Sequence, residues 1–249
     1  MTSPAGKPEP GLRGLQAWPT MLFFRTWEDH QRHRDAIVAR LRELQAGQRR
    51  PIDSGVAPAM KSAAGLSEGG FDLLRDPQPS LGELRRFIES SVATAACVAN
   101  GSEAAAKEIA VTIVDSWYHI TNDGGFHDAH HHHGCSWCGI YYLQAGESGR
   151  TPGGGAPNGA SRFYSPLLTG GQYRDYGNRY LAGSLDFPLE DGLLLIFPSY
   201  LLHSGLPYRG SHDRIVIAFN SRVHLRPGSP LAARLGGQPA AVTPDRPPS

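Results

Sequence analysis

From residue 110 onward the chain is a succession of short β-prone segments separated by glycine-rich turns, and this feature restricts the fold most. The segments are apolar or alternate in polarity, as strands do. They are Val111–Thr121, Trp137–Leu143, Arg162–Tyr164, Gly192–Phe197 and Arg214–Phe219. Short strands and turns that follow a helical region predict a helix-flanked barrel or jelly roll.

The first half of the chain predicts two helices. Apolar residues recur at helical spacing in Glu28–Gln45 and again in Ser80–Ala99. In the second helix, Ser80 is a candidate N-cap, and Glu83 lies three residues further on, as in a capping box. A short apolar run, Trp18–Phe24, favours a strand, and the segment 46–70 has the composition of a loop.

These patterns predict one domain between two tails. Residues 1–16 and 227–249 read as disordered tails, and 17–226 as a single domain. Its helical part runs to about residue 109, and its core covers 110–226. The predicted fold class is mostly β: a double-stranded β-helix (jelly roll, cupin-like) with flanking N-terminal helices.

The bulk composition excludes some classes of function. A formal net charge of +1 offers no attraction for nucleic acid. No apolar stretch reaches the length of a membrane span, and the N-terminus lacks the apolar core of a secretion signal. Three cysteines are too few for a disulfide scaffold and fit a reducing compartment. We therefore expect a cytoplasmic monomer or homodimer.

A histidine cluster between two predicted strands is the strongest chemical signal. His127 and the run from His130 to His133 hold five of the eleven histidines. Residues i and i+2 of an extended chain point to the same side, so His130 and His132 can present two imidazoles to one point. A jelly roll can bring His203, about 70 residues away, to the same metal. Imidazole suits Fe(II), Zn, Cu and Ni equally, so ligand type leaves the metal open.

Arg214 begins the strand that follows His203 in the sequence. A guanidinium can hold one carboxylate of a dicarboxylic acid through two parallel hydrogen bonds. The alternative is an ordinary surface arginine beside Asp213. Asp128 and Asp115 are candidate partners for the ligating histidines.

Three motifs together resemble a group of 2-oxoglutarate/Fe(II)-dependent oxygenases. They are WYHITNDGGFHDAHHHHGCSWCGIYY at 117–142, FPSYLLH at 197–203 and RIVIAFN at 214–220. With the WPTMLFF segment and the helix after it, the resemblance covers roughly residues 17–225.

The resemblance implies Fe(II) bound by His130, His132 and His203, with 2-oxoglutarate and O2 as co-substrates. It also implies that Arg214 binds the C5 carboxylate of 2-oxoglutarate, with Tyr142 as a candidate second partner. The implied reaction is hydroxylation of a small-molecule or peptide-like substrate, with release of succinate and CO2. This chain departs from the group's pattern at His119, His133 and Cys138, where Asn, Pro and Ser are usual.

Two other functions remain open from the residues. A three-His iron dioxygenase of the cupin type also uses H-x-H and a distal histidine, but it needs no arginine at position 214. A jelly-roll protein that only binds a metal or a ligand is the other alternative. Cys135 and Cys138 form a C-x-x-C pair that we interpret as packed or incidental. The segment with Tyr173, Tyr176 and Tyr180 is a candidate lid.

Overall fold

A computed structural model describes residues 20–47, 64–101, 103–147, 149, 155–166, 183–187 and 189–230. The predicted tail at 1–16, all but the first residues of the tail at 227–249, and the candidate lid with Tyr173, Tyr176 and Tyr180 lie outside this part of the chain.

Ten strands of the described residues form two antiparallel sheets. They are β1 Phe23–Thr26, β2 Leu66–Gly69, β3 Ile109–Thr121, β4 Gly125–His130, β5 Trp137–Gln144, β6 Ser161–Tyr164, β7 Ser184–Phe187, β8 Leu193–Pro198, β9 His203–Tyr208 and β10 Arg214–Leu225. The larger sheet has the order β1-β8-β5-β10-β3-β2, and the smaller has β4-β9-β6-β7. Strands far apart in sequence are thus neighbours, and the predicted mostly β, jelly-roll fold is confirmed.

Two helices precede the core, α1 His30–Gly47 and α2 Pro79–Ala99. The predicted N-cap of α2 was wrong. Gln78 is the cap and accepts a hydrogen bond from Leu81 N–H at 3.0 Å, because Pro79 occupies the first helical position. Ser80 is buried instead and its hydroxyl lies 2.9 Å from His33 Nδ1. Neither helix is long and apolar enough to cross a membrane.

The larger sheet is buried on both faces, which explains its apolar strands. On β10, Ile215 and Ile217 pack with Leu84 and Ile88 of α2 in one core cluster. The alternate residues Arg214 and Val216 point between the two sheets and line a cavity there. The period-two alternation of side chains along a strand therefore decides which residues of β10 reach the cavity.

The sequence missed four strands and misplaced one. β4, β7 and β9 were not predicted, and β2 lies in the segment 46–70 that was interpreted as a loop. β4 is polar and β9 contains Gly205 and Pro207, so neither has the apolar pattern of a strand. β1 begins at Phe23, near the end of the predicted strand Trp18–Phe24, and pairs with β8.

Candidate metal and co-substrate site

A cavity lies between the two sheets. Both sheets contribute to its wall, and the polar side chains that line it include the three predicted metal ligands and the predicted carboxylate-binding arginine. These polar residues are His119, Thr121, His127, His130, His132, Ser161, His203, Ser204 and Arg214.

The structure brings the three predicted metal ligands together in the wall of this cavity. His130 ends β4 and is the register partner of His203, the first residue of β9. The ring centroids of His130 and His203 are 4.3 Å apart. The ring centroid of His132 lies 5.0 Å from that of His130 and 5.2 Å from that of His203. One ring nitrogen of each lies within 4.8 Å of the other two. His131 and His133 are exposed and contact one another instead.

Backbone carbonyl groups orient two of these imidazoles. His130 Nδ1 lies 2.7 Å from the carbonyl oxygen of Asp128, and His203 Nδ1 lies 2.9 Å from that of Leu201. A carbonyl oxygen only accepts, so Nδ1 carries the hydrogen and the lone pair of Nε2 is left for a metal.

Asp128, a candidate partner of the ligating histidines, therefore contacts His130 through its backbone carbonyl and not through its carboxylate. The Asp128 carboxylate accepts from Ala129 N–H, and the Asp115 carboxylate lies near Asn220 Nδ2.

Burial keeps all three imidazoles neutral. Desolvation is the largest cause and lowers the pKa of His130 to about 4 and that of His132 to about 4. It also holds the pKa of His203 well below its ordinary value, and the neighbouring imidazoles add to the effect. Only the neutral form has a lone pair to give, so the cluster is ready to bind a metal at neutral pH.

The lowered pKa values predict a stability change in metal-free protein. Between about pH 6.5 and about pH 4 the unfolded chain binds protons on these histidines that the folded chain excludes. The free energy of unfolding should therefore fall as pH falls, by up to about 1.4 kcal/mol per pH unit for each histidine. Melting curves in EDTA should show a shallower pH dependence for His203→Gln than for wild type. The exposed His131→Gln is the matched control, and equal slopes for all three proteins would contradict the prediction.

Arg214 lies on the opposite wall of the same cavity. It is 5% exposed, and among the ion pairs formed by described residues none includes Arg214. Its Nε is buried without a hydrogen-bond partner. Asp213, the alternative surface partner, instead binds Arg42 at 2.6 Å and Asn122 at 3.0 Å. A buried guanidinium with an unsatisfied donor is suited to an anionic ligand.

Tyr142 contacts this arginine with its ring and forms a side-chain hydrogen bond with it. Its ring centroid is 5.5 Å from Arg214 Cζ, and its hydroxyl donates to Ser161 Oγ. Tyr142 is fully buried and is not among the cavity-lining residues, whereas Ser161 is. Because Ser161 Oγ accepts from the tyrosine, its own hydrogen is free to donate into the cavity. Sequence reasoning missed Ser161, which begins a short strand and carries no motif.

A second group of potential ligands adjoins the first. Glu68, His119 and His127 also place their ligand atoms within 4.8 Å of one another. Glu68 Oε1 is 3.0 Å from His119 Nε2. The same nitrogen accepts a hydrogen bond from Trp117 Nε1–H at 3.0 Å. His119 is thus already engaged on the nitrogen that faces this group. Sequence reasoning missed Glu68 because it lies in β2, which was interpreted as loop.

Comparison with family models links these residues to a known family. Residues 115–220 match the model described as "Putative 2OG-Fe(II) oxygenase". The match spans every predicted site residue: His130, His132, Tyr142, His203 and Arg214. A search of curated protein sequences returned no match.

Solved structures share the fold at low sequence identity. The epimerase SnoN in complex with Fe3+, alpha ketoglutarate and nogalamycin RO is 14% identical, with a TM-score of 0.53 and coverage of 90% of this chain and 88% of that chain. A Trichoplax adhaerens prolyl hydroxylase in complex with a hypoxia inducible factor peptide fragment is 12% identical, with a TM-score of 0.53 and 87% coverage of both chains.

The non-heme alpha ketoglutarate dependent carbocyclase SnoK from nogalamycin biosynthesis is 11% identical, with a TM-score of 0.54 and coverage of 88% of this chain and 87% of that chain. These likenesses establish the jelly-roll fold, and the reactions named for the three proteins differ. Together with the sequence match over 115–220, they confirm the resemblance to the 2OG-Fe(II) oxygenase family, whose members need Fe(II), 2-oxoglutarate and O2.

Proposed function

We propose that this chain is a non-haem Fe(II)- and 2-oxoglutarate-dependent oxygenase that hydroxylates a small-molecule or peptide-like substrate and releases succinate and CO2. One observation carries the proposal: a buried guanidinium, Arg214, with an unsatisfied donor faces the cavity that holds a cluster of three neutral histidines. We take the domain to be the predicted unit 17–226. The cytoplasmic location and the monomeric or homodimeric state stay predictions.

The residues present fit both groups that such an enzyme binds. His130, His132 and His203 would hold Fe(II), since their neutral imidazoles converge and two of them have fixed tautomers. Arg214 would bind the distal carboxylate of 2-oxoglutarate. Bound Fe(II) supplies the capacity to activate O2, and the protein supplies orientation and exclusion of water.

Ser161 and Tyr142, the two polar residues beside Arg214, have different roles in binding the co-substrate. Ser161 has a hydrogen to donate to the same carboxylate as Arg214. Tyr142, predicted as a carboxylate partner, holds Ser161 through its hydroxyl and supports the guanidinium with its ring. We therefore propose that Tyr142 positions the co-substrate site through these two neighbours.

The three-His set is the better iron site of the two adjoining groups. Nδ1 of His130 and of His203 contacts a backbone carbonyl, which leaves Nε2 of each for a metal. His119 Nε2, in contrast, already contacts both Trp117 and Glu68. His119 and His127 line the same cavity as the three-His set, and a direct metal measurement distinguishes the two groups.

Arg214 also separates the proposal from its alternatives. A cupin-type three-His dioxygenase needs no cation at this position, and burying an unpaired guanidinium costs stability. A protein that only bound a metal would gain nothing from that cost. The observation therefore favours a dicarboxylate co-substrate.

Turnover without the true substrate tests the reaction class. Purified protein with Fe(II), ascorbate and O2 should slowly convert 2-oxoglutarate to succinate, as measured by mass spectrometry. Arg214→Ala should lose this activity at the same 2-oxoglutarate concentration, while His131→Ala should keep it. Oxidation of a thiol substrate without any succinate, over a panel of candidate substrates, would instead support the cupin-type reaction.

A further inference from the structure

Two thiols are in contact beside the candidate metal site. Cys135 Sγ and Cys138 Sγ are 3.6 Å apart. Cys135 lies in the loop that follows the histidine run, and Cys138 is the second residue of β5 and lines the cavity. Cys97, the remaining cysteine, is buried in α2. The C-x-x-C pair is therefore more than a coincidence of sequence.

The two thiols have different surroundings. Cys138 is buried and its Sγ lies 3.1 Å from Asn220 Oδ1, while Cys135 is half-buried. The contact with Cys138 lowers the pKa of the Cys135 thiol, and the same contact together with burial raises the pKa of the Cys138 thiol. The more accessible thiol is thus the better nucleophile, and the buried thiol lies within reach to displace a leaving group from it.

A bond between the sulfurs requires Cys135 to move toward Cys138. A disulfide needs an S–S distance of about 2.05 Å. Cys138 is fixed in a central strand, but Cys135 precedes that strand and follows Gly134, an exposed glycine with a φ of 70°. Among described residues, neither cysteine belongs to a group of three potential metal ligands, which favours oxidation over zinc binding.

Hydrogen bonds connect Cys135 to the candidate ligand His132. The carbonyl oxygen of Ser199 accepts from His132 N–H at 3.0 Å, and the Ser199 hydroxyl donates to the Cys135 carbonyl oxygen at 2.7 Å. Ser199 N–H also donates to the Ser136 carbonyl oxygen at 3.1 Å. A displacement of Cys135 would therefore reach His132 through Ser199.

We propose that Cys135 and Cys138 form a reversible disulfide whose formation weakens metal binding at the three-His site. The oxidant is a peroxide. The Cys135 thiolate attacks one oxygen of hydrogen peroxide, and the O–O bond breaks. The products are a Cys135 sulfenic acid and hydroxide, and the hydroxide is protonated to water. The Cys138 thiol then attacks the sulfenic sulfur, which releases a second water. Two electrons pass from the thiols to the peroxide, and a dithiol reductant reverses the change. Disulfide formation itself is independent of the proposed function.

Thiol mapping tests the disulfide. Metal-free, full-length protein is treated with hydrogen peroxide, denatured, alkylated and analysed by mass spectrometry. We expect two thiols to be lost within one chain, the peptide that contains Cys135 and Cys138 to carry no alkyl group and to weigh about 2 Da less than its unalkylated dithiol form, and dithiothreitol to restore both thiols. Cys97→Ser should behave in the same way, whereas Cys135→Ser and Cys138→Ser should form no internal bond. Three alkylatable thiols after treatment, or a bond that requires Cys97, would overturn the proposal.

Metal titration tests the coupling to His132. After the peroxide has been removed, oxidised and reduced protein are titrated with Co(II), whose visible absorption reports binding. The oxidised protein should bind about tenfold more weakly, the scale expected when a contact that orients a ligand is disturbed. Equal affinities in the presence of a mapped disulfide would overturn the coupling. Reduced wild-type protein that bound no Co(II) would count against the three-His site of the proposed function and leave the thiol mapping valid.

Discussion

Replacing Arg214 with alanine is expected to raise the KM for 2-oxoglutarate by roughly 30- to several-thousand-fold. The lost contact is buried and charge-assisted, and removing one partner of such a pair costs on the order of 2–5 kcal/mol, at about 1.4 kcal/mol per factor of ten. Iron affinity should hardly change, because Arg214 is not a ligand. Steady-state formation of succinate over a range of 2-oxoglutarate concentrations measures the effect.

Two further variants make the Arg214 result specific. Arg214→Lys should recover only part of the loss, because a point charge cannot form both parallel hydrogen bonds of a guanidinium. Arg209→Ala removes an exposed arginine from the neighbouring loop and should leave the KM unchanged. A KM for Arg214→Ala within about threefold of wild type would mean that Arg214 does not bind the co-substrate.

Single alanine substitutions at His130, His132 and His203 should each abolish tight iron binding. Loss of even an outer partner of a ligand typically weakens metal affinity by 10- to 100-fold, so loss of a ligand should cost at least about 100-fold. His131→Ala and His133→Ala are matched controls from the same histidine run, since both side chains are exposed. Bound iron is measured after gel filtration.

The adjoining Glu68 group gives the sharpest contrast for the metal assignment. Glu68→Gln removes the only carboxylate of the two described clusters and should retain iron at wild-type stoichiometry. Iron that survives in His132→Ala but is lost in Glu68→Gln would move the metal to Glu68, His119 and His127.

The sequence predicted those parts of the fold whose signal is local. Apolar strands such as β8 and the two amphipathic helices follow from hydrophobic periodicity, because burial on one or both faces imposes that pattern. β4 and β9 escaped detection because they line the polar cavity and carry histidine, serine and glycine where a strand usually has apolar residues. β2 has only four residues and pairs with β3 at the edge of its sheet.

The candidate site could be predicted in part for the same reason. Period-two geometry predicted that His130 and His132 face one way, the jelly-roll topology made His203 a candidate third ligand, and guanidinium chemistry made Arg214 a candidate carboxylate partner. The resemblance implied the same roles. The acceptors for His130 and His203 were not predictable, since every residue has a backbone carbonyl and only the fold decides which one is close. Glu68 reaches His119 only because β2 and β3 pair across about 50 residues of chain.

Anaerobic titration of Fe(II) in the presence of 2-oxoglutarate tests the central claim most directly. When 2-oxoglutarate chelates Fe(II), a weak visible charge-transfer band should appear, and it should require both components. We predict the band in wild type and in His131→Ala, its absence in His132→Ala, and its appearance in Arg214→Ala only at much higher 2-oxoglutarate concentration. Wild-type protein that binds Fe(II) but shows no band at saturating 2-oxoglutarate would contradict the account.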